Sequence, residues 1–456
     1  MASQLITKDV LQKLSDSDTQ KIKLAIVDID GVLRGKVISF EKFLSVAEKG
    51  FGFCDVVFGW DASDSAYDNS KITGWHTGYP DALAYIDLHT FRRIPWEDDL
   101  PFFLADFSNE KSTLGAVCPR TLLKRIREKA IRSGYTSYFS QEFEWFNFVD
   151  NRNELYKNNF HTPQPLTPGM FGYSVLRASQ EGSYFHDIFD QMKRFNVPIE
   201  GIHTETGPGV YEAAIFYSEI LEAADRAVLF KNGVKEIAHK HGIIASFMAK
   251  WNETLPGCSG HVHQSLWSNN GKENLFFDKK SKDGISAIMK NYIAGQLYCL
   301  PHILPMYAPN INSYKRLVEG AWAPTTQTWA FDNRTTALRI LADSAKSTRL
   351  ETRVVGSDAN PYLAMAACLA SGLYGIEKKL PLKTAPTTGS GYADTTNGVL
   401  PRNLSEATAA MKNSSIAKEL FGEQFVQHFT ATREWEWRQY GKAVTDWELK
   451  RYFEII

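Results

Sequence analysis

The sequence predicts an α+β protein, with a small N-terminal unit over residues 1–112 and a large unit of strands and helices over 113–456. Three observations carry this expectation. The 456 residues exceed one small domain, and 43% hydrophobic with 23% charged residues is ordinary globular composition. The first quarter consists of strand-like pieces broken by turns. From Pro119 onward, strands and amphipathic helices follow one another, and acidic residues recur inside the strands.

The elements follow in chain order. Residues 5–16 read as a short amphipathic helix. KLAIVDI, from Lys23 to Ile29, reads as a buried strand, Asp30-Gly31 as a tight turn, and VLRGKVIS as the returning strand. A helix over 40–48 precedes a Gly- and aromatic-rich loop over 50–80, with Trp60, Asp61, Asp64, Tyr67 and Trp75. Its length and aromatic content point to a functional loop. Strand-like pieces over 83–107 close the small unit. TLLKRIREKAIRSG is a helix with a Gly stop. SYFSQEFEWFNF is a strand, and a Pro-rich loop over 151–169 separates it from a helix over 180–194. HTETGPGVYEAAIF is strand-like, 218–241 is a long helix, and IIASFMA and GHVHQSLW are strands. A helix over 284–304 and a helical, charged tail from 403 complete the pattern.

Lys plus Arg is 51 and Asp plus Glu 52, a net charge of −1, which gives no footprint for nucleic acid or an anionic membrane. The five cysteines are dispersed, with no CxxC pair, and read as reduced thiols. There is no long apolar run for a membrane span or a signal peptide, so the expectation is a cytoplasmic protein.

Four constellations bear on chemistry. Glu142 and Glu144 alternate with apolar residues, so they share a strand face; two adjacent carboxylates on such a face are relieved by a divalent cation. Gly207-Pro208-Gly209 is a turn that brings Glu205 and Glu212 across from each other. In Gly257-Cys-Ser-Gly260-His261-Val262-His263-Gln-Ser265, an HxH pair on a strand puts both imidazoles on one face. Arg316, Arg334, Arg339, Arg349 and Arg353, with Lys346, sit among apolar residues beside Glu351, an arrangement suited to carboxylate or phosphate. Taken singly, each pattern also fits a plain reading: a solvated strand face, a polar hairpin, satisfied histidines, or structural Arg–Glu pairs. Glu with His and no Cys favours Mg²⁺ or Mn²⁺ over Zn²⁺. There is no GxxxxGK[ST] and no kinase signature.

In chain order, EFEWFNF, HTETGPGVYE, GCSGHVHQSLW, NSYKRLVEG, NRTTALRI and RLETRVVGSDANPYLA resemble the motifs of the glutamine synthetase family, and DIDGVLRGK resembles its small β-grasp domain. The resemblance covers nearly the whole chain and is to the class I type. It implies a β-grasp domain followed by a catalytic domain with a curved antiparallel sheet and flanking helices. It also implies glutamate and ATP as substrates, a γ-glutamyl phosphate intermediate and two or three Mg²⁺ or Mn²⁺ ions. By the same resemblance, Glu144, Glu205 and Glu212 hold one metal, and Glu142, His261 and Glu351 hold the metal against the ATP phosphates. Tyr217, His263, Ser265, Lys346, Arg349 and Arg339 serve the nucleotide. Gly257, Arg316 and Arg353 serve the substrate, while Asp61 and Arg334 act in catalysis. A ring-shaped dodecamer is implied, with Asp61 reaching a neighbour's site; no adenylylation-type Tyr is evident over 396–425.

The sequence departs from glutamine synthetases at three places. Trp322 stands where the family carries a flap acid. Asp61-Ala62-Ser63-Asp64 replaces an Asp-Gly-Ser-Ser run, and Pro256 stands where Asn is usual. Trp322 and Asp64 suit a cationic organic amine, as in the family's γ-glutamylpolyamine and γ-glutamyl-amine synthetases. The alternatives are ammonia as the amine, which makes the protein a glutamine synthetase, or a non-catalytic relative. The complete set of acids and histidines speaks against the last.

Overall fold

A computed structural model describes residues 2–108 and 112–456. The first sheet has six strands: β1 (Lys21–Val27), β2 (Leu33–Ser39), β3 (Phe51–Cys54), β4 (Asp81–Ile86), β5 (Arg92–Ile94) and β6 (Leu100–Asp106). Their order is β2-β1-β6-β4-β3, with β5 on β6. Only β1 and β6 run parallel. The hairpin β1–β2 turns at Gly31, whose φ of +84° is natural only for glycine. The predicted loop over 50–80 is loop only from Gly59 on, because its Phe51–Cys54 end pairs with β4. The predicted boundary after residue 112 adjoins residues 109–111, which lie outside the described residues.

The second sheet has nine strands: β7 (Tyr135–Val149), β8 (Ile199–Thr204), β9 (Val210–Ile215), β10 (Ser218–Glu219), β11 (Ile243–Ser246), β12 (Val262–Ser268), β13 (Trp329–Phe331), β14 (Leu338–Leu341) and β15 (Arg349–Thr352). The order is β13-β14-β15-β12-β7-β9-β8, with β10 and β11 also on β7. The sheet is antiparallel and curved apart from the parallel pair β13–β14. The 15 residues of β7 make it the hub: its first half pairs with β12 and its second half with β9.

Helices back this sheet. Ile220–Lys240 follows β10, and Ala287–Ile303 packs on Pro361–Glu377. The helix predicted over 180–194 is Gly182–Arg194, and a separate short helix, Val175–Gln180, precedes it. One continuous core joins the two sheets, from Ile22 and Phe103 to Phe143, Tyr292 and Met365. Buried Arg120 ties them electrostatically, bonding Asp106 at 2.6 Å and Asp225 at 2.8 and 2.9 Å. No described helix is long and apolar enough to cross a membrane.

Candidate active site

The site grows out of strand register. On β7, Glu144 stands opposite Glu212 of β9, and Glu212 opposite His203 of β8. On the other side of β7, His263 of β12 stands opposite Glu351 of β15, and Glu351 opposite Arg339 of β14. Period-2 alternation therefore delivers two rows of polar side chains onto one half of the sheet. The turn at Gly207 and Gly209 is forced tight: both φ values are positive, and a Cβ on Gly209 would lie 2.4 Å from the Asn147 carbonyl oxygen.

Two groups of donor atoms result. Glu142, His263 and Glu351 form one; His203, Glu205 and Glu212 form the other; within each, ligand atoms lie within 4.8 Å of one another. Both are of a kind that holds a divalent cation. Their membership differs from the sequence-based sets. His263, expected near the nucleotide, joins Glu142 and Glu351, because HxH alternation puts both imidazoles on that side. His261 Nδ1 nevertheless lies 3.3 Å from Glu351 and 3.6 Å from Glu142. Glu144, in register with Glu212, turns its Oε2 to the Ser259 N–H at 2.6 Å. His203 joins Glu205 and Glu212, with Nε2 3.2 Å from Glu212. The signal for His203 was present in the sequence, since it lies two residues before Glu205, at the end of β8.

The electrostatics describe an over-charged site. Burial, with Glu142 and Glu144 adding to it, pushes the Glu212 carboxyl up to about 8. Burial works against a charged His203, yet its hydrogen bond to Glu212 lifts it to about 9. In the absence of a cation both groups thus stay protonated past neutrality. Burial pushes His261 down to about 4, with the Arg353 charge assisting. Burial alone would raise Glu351; His263, His261 and Arg353 hold it at about 2. His261 Nδ1 and Nε2, His263 Nε2 and Glu205 Oε2 are buried without a hydrogen-bond partner. Such groups are costly unless something binds them, and an oxygen-plus-imidazole donor set fits a divalent cation.

Arginines wall one side. Glu351 accepts Arg353 at 2.5 Å and Arg339 at 2.9 Å. Arg349 Nε donates to His263 Nδ1 at 3.3 Å, which leaves His263 Nε2 turned to Glu142. Arg316 is buried, and two of its N–H groups hold the Val354 and Arg353 carbonyls at 3.1 Å. Gly257 presses against its stem, because a Cβ there would meet Ala249 O at 2.5 Å and Arg316 Cγ at 3.0 Å. Arg316 thus holds the backbone just past β15, at Arg353 and Val354. Arg334 and Lys346 are exposed.

On the β12 side, Ser265 pairs in register with Tyr138, its Oγ accepts the Trp267 N–H, and Tyr138 meets both Trp267 and the exposed Tyr217 edge-to-face. Tyr138 and Trp267 widen the aromatic ledge that sequence reasoning assigned to Tyr217 alone.

Tyr173 was missed entirely. It stacks on His203 at 4.4 Å between ring centres, with φ +55° and 67% of its surface exposed. Nothing in its sequence context separates it from other loop aromatics. Trp322 also has positive φ and an exposed ring, while its carbonyl accepts Arg353 at 3.4 Å. Asp61 and Asp64 belong to a different neighbourhood. Asp64 pairs with Arg34 at 2.7 Å and Asp61 accepts Trp435 Nε1 at 2.9 Å.

The glutamine synthetase catalytic-domain family model matches residues 116–452. A Type-1 glutamine synthetase 2 of Dictyostelium discoideum is 52% identical over 98% of this chain and 86% of its own. A glutamate–isopropylamine ligase of a Pseudomonas species is 37% identical over 99% and 98%. The solved structure of a GmaS/ADP complex superposes with TM-score 0.83 at 26% identity, over 98% of this chain and 99% of that one.

Proposed function

The chain belongs to the glutamine synthetase family, and on that premise we propose that it joins the γ-carboxylate of glutamate to an organic amine. It is an ATP-dependent carboxylate–amine ligase. The observation that carries the reading is the pair of facing donor groups, Glu142–His263–Glu351 and His203–Glu205–Glu212, walled by Arg339 and Arg353.

In the first step a γ-carboxylate oxygen attacks the terminal phosphorus of ATP, and the bond to ADP breaks. In the second, the amine nitrogen attacks the acyl carbon, phosphate leaves with the bonding pair, and the nitrogen gives up a proton. Cations held by Glu142, His261, His263 and Glu351, and by Glu144, His203, Glu205 and Glu212, would neutralise phosphate charge; Mg²⁺ and Mn²⁺ suit these donors. Arg339 and Arg353 are already oriented by Glu351, so they meet developing charge without reorganising. Arg334 is exposed, and its carbonyl accepts Arg353 Nε; its guanidinium would meet the leaving phosphate. Tyr217, Ser265, Lys346 and Arg349 would seat the nucleotide along the aromatic ledge.

The amine would enter beside Tyr173, whose ring rests on His203, and beneath Trp322. The Tyr173 ring on His203, close to Glu205 and Glu212, suits an alkylammonium ion, and Trp322 would supply a second aromatic face. The isopropylamine ligase supports this class of substrate. Asp64 contributes less than its sequence position suggests, because Arg34 matches its charge.

Asp61 would accept the proton in a neighbouring copy's site, within a ring assembly. The tail supports assembly: no residue of the helix Asp446–Tyr452 is buried, and Trp447, Phe453, Ile455 and Ile456 stand exposed, an apolar run suited to a second copy.

A second reading is ammonia as the amine, favoured by the Dictyostelium relative's name. One experiment separates the two. Phosphate release with glutamate, ATP and Mg²⁺ is measured against ammonia, methylamine, isopropylamine, ethanolamine, putrescine and spermidine. An organic amine should give the highest kcat/KM; turnover with ammonia alone would sink the first reading.

A further inference from the structure

The loop that carries Asp61 is docked along one helix. In Glu423–Tyr440, Trp435 donates its indole N–H to Asp61 Oδ2 at 2.9 Å and meets the Tyr67 ring edge-on at 5.9 Å. The Ala431 carbonyl accepts Asn69 Nδ2 at 2.8 Å, and Arg438 pairs with Asp68. Asp61 Oδ1 faces inward and accepts the Ser63 and Ser65 N–H groups at 2.9 and 3.0 Å. On the far side of the loop, Arg34 bridges Asp64 and buried Asp28 and lies over Trp60 at 5.1 Å.

These contacts separate the two acids. The charge of Asp64 is matched by a guanidinium. Among the described residues, no Lys, Arg or His pairs with Asp61, which accepts three N–H bonds. A carboxylate offers about four acceptor sites, so Asp61 keeps one free, in the direction that Trp435 sets.

We propose that Trp435 is a positioning residue for the amine step: its indole N–H, on a helix that clamps the loop at three other points, aims the Asp61 carboxylate. This rests on the reading that Asp61 meets the amine. A role in packing alone predicts a different outcome, since Trp435→Phe keeps the ring against Tyr67 and Arg438 and removes only the donor.

The test uses the full-length enzyme with the best amine of the panel. Asp61→Asn comes first: an unchanged amine KM there overturns the Asp61 reading itself and the proposal with it. If Asp61→Asn raises that KM, Trp435→Phe decides the positioning role. The expected result is an amine KM raised about tenfold, the scale of one lost hydrogen bond to a charged group. The KM values for ATP and glutamate, and phosphate release without amine, stay within about twofold of wild type by the same reasoning. Arg438→Gln, at an exposed position, loosens the same dock and should shift the amine KM in the same direction by a smaller factor. An unchanged amine KM in both variants overturns the proposal, as does a parallel loss for all three substrates.

Discussion

Glu212 sits where three carboxylates converge, and its side chain holds a proton that a cation would displace. The sign follows from its shift. Its carboxyl titrates near 8 in the folded chain against 4.5 when free, and His203 near 9 against 6.5. The folded, metal-free protein thus binds more protons than the unfolded chain between those limits. Stability is full below the unfolded values and is lost as pH rises through about 8 to 9. Mn²⁺ or Mg²⁺ competes for the same atoms, so its affinity should rise across that window. Thermal melts at pH 6, 7.5 and 9, with and without Mn²⁺, should show the metal-induced rise in Tm growing with pH; a flat dependence would rule out retained protons on this pair. Glu212→Gln is neutral at every pH, so it differs in charge from the metal-free wild type only above about pH 8. The metal-free variant should melt at or above the wild type, lose most of the Mn²⁺-induced rise, and turn over at least ~100-fold more slowly, since ligand loss costs metal and phosphate neutralisation together. At this scale the sequence was readable where side-chain period met strand, as at Glu142, Glu144 and the HxH pair. It was unreadable where partnership depends on long-range register. Nothing local tells that His263 faces Glu351 across β15, or that Glu144 turns to the Ser259 N–H.

The elements divide in the same way. Amphipathic helices such as Pro119–Arg132 were legible because only one face is buried. The helix Pro361–Glu377 was not, because it is buried nearly all round and so carries no 3.6-residue polar rhythm. It is packed backbone-to-backbone on Ala287–Ile303: a Cβ on Gly375 would meet Asn291 O at 2.1 Å and Gly295 Cα at 2.6 Å. Gly375→Ala should therefore cost about 1–3 kcal/mol as an overpacked core contact, read as a lower denaturant midpoint with an unchanged slope. A second expectation belongs to the helix Glu423–Tyr440. His428 lies buried with both ring nitrogens unpartnered, and burial, aided by Arg433, pushes it down to about 4 from 6.5. The unfolded chain then takes up a proton that the folded one refuses, so stability falls as pH drops from about 6.5 to 4. That shift corresponds to about 3 kcal/mol at its acid limit. His428→Leu should flatten this part of the stability–pH curve, and urea melts at pH 7, 5.5 and 4.5 measure it.

At the scale of the whole molecule, the two halves of the proposed chemistry lie on separate surfaces. The carboxylates and arginines line the second sheet, while Asp61 is fastened by Trp435 on a loop of the N-terminal unit. A chain that completes its site alone needs both surfaces in one copy; a ring needs the loop of one copy at the sheet of the next. Two impaired variants, assayed at an amine concentration well below the KM of Asp61→Asn, distinguish these arrangements. Glu212→Gln destroys the sheet side and keeps Asp61, whereas Asp61→Asn does the reverse. If neighbours share the site, co-expression in equal amounts creates sites with an intact sheet from one variant and an intact loop from the other. Random mixing around a closed ring makes about a quarter of all sites intact. Purified mixed assemblies, carrying two different affinity tags so that both variants are present, should thus recover about a quarter of wild-type phosphate release with the preferred amine. Each variant purified alone should keep only its residual rate. If every site is built within one chain, mixed assemblies stay at the average of the two parents, because each copy still carries its own lesion. The same preparations test the tail: deletion of residues 444–456 takes Trp447, Phe453, Ile455 and Ile456 from the surface, and should lower the assembly mass measured by light scattering. Complementation that survives this truncation would assign Asp61 sharing to contacts within one ring, leaving the tail to hold rings together.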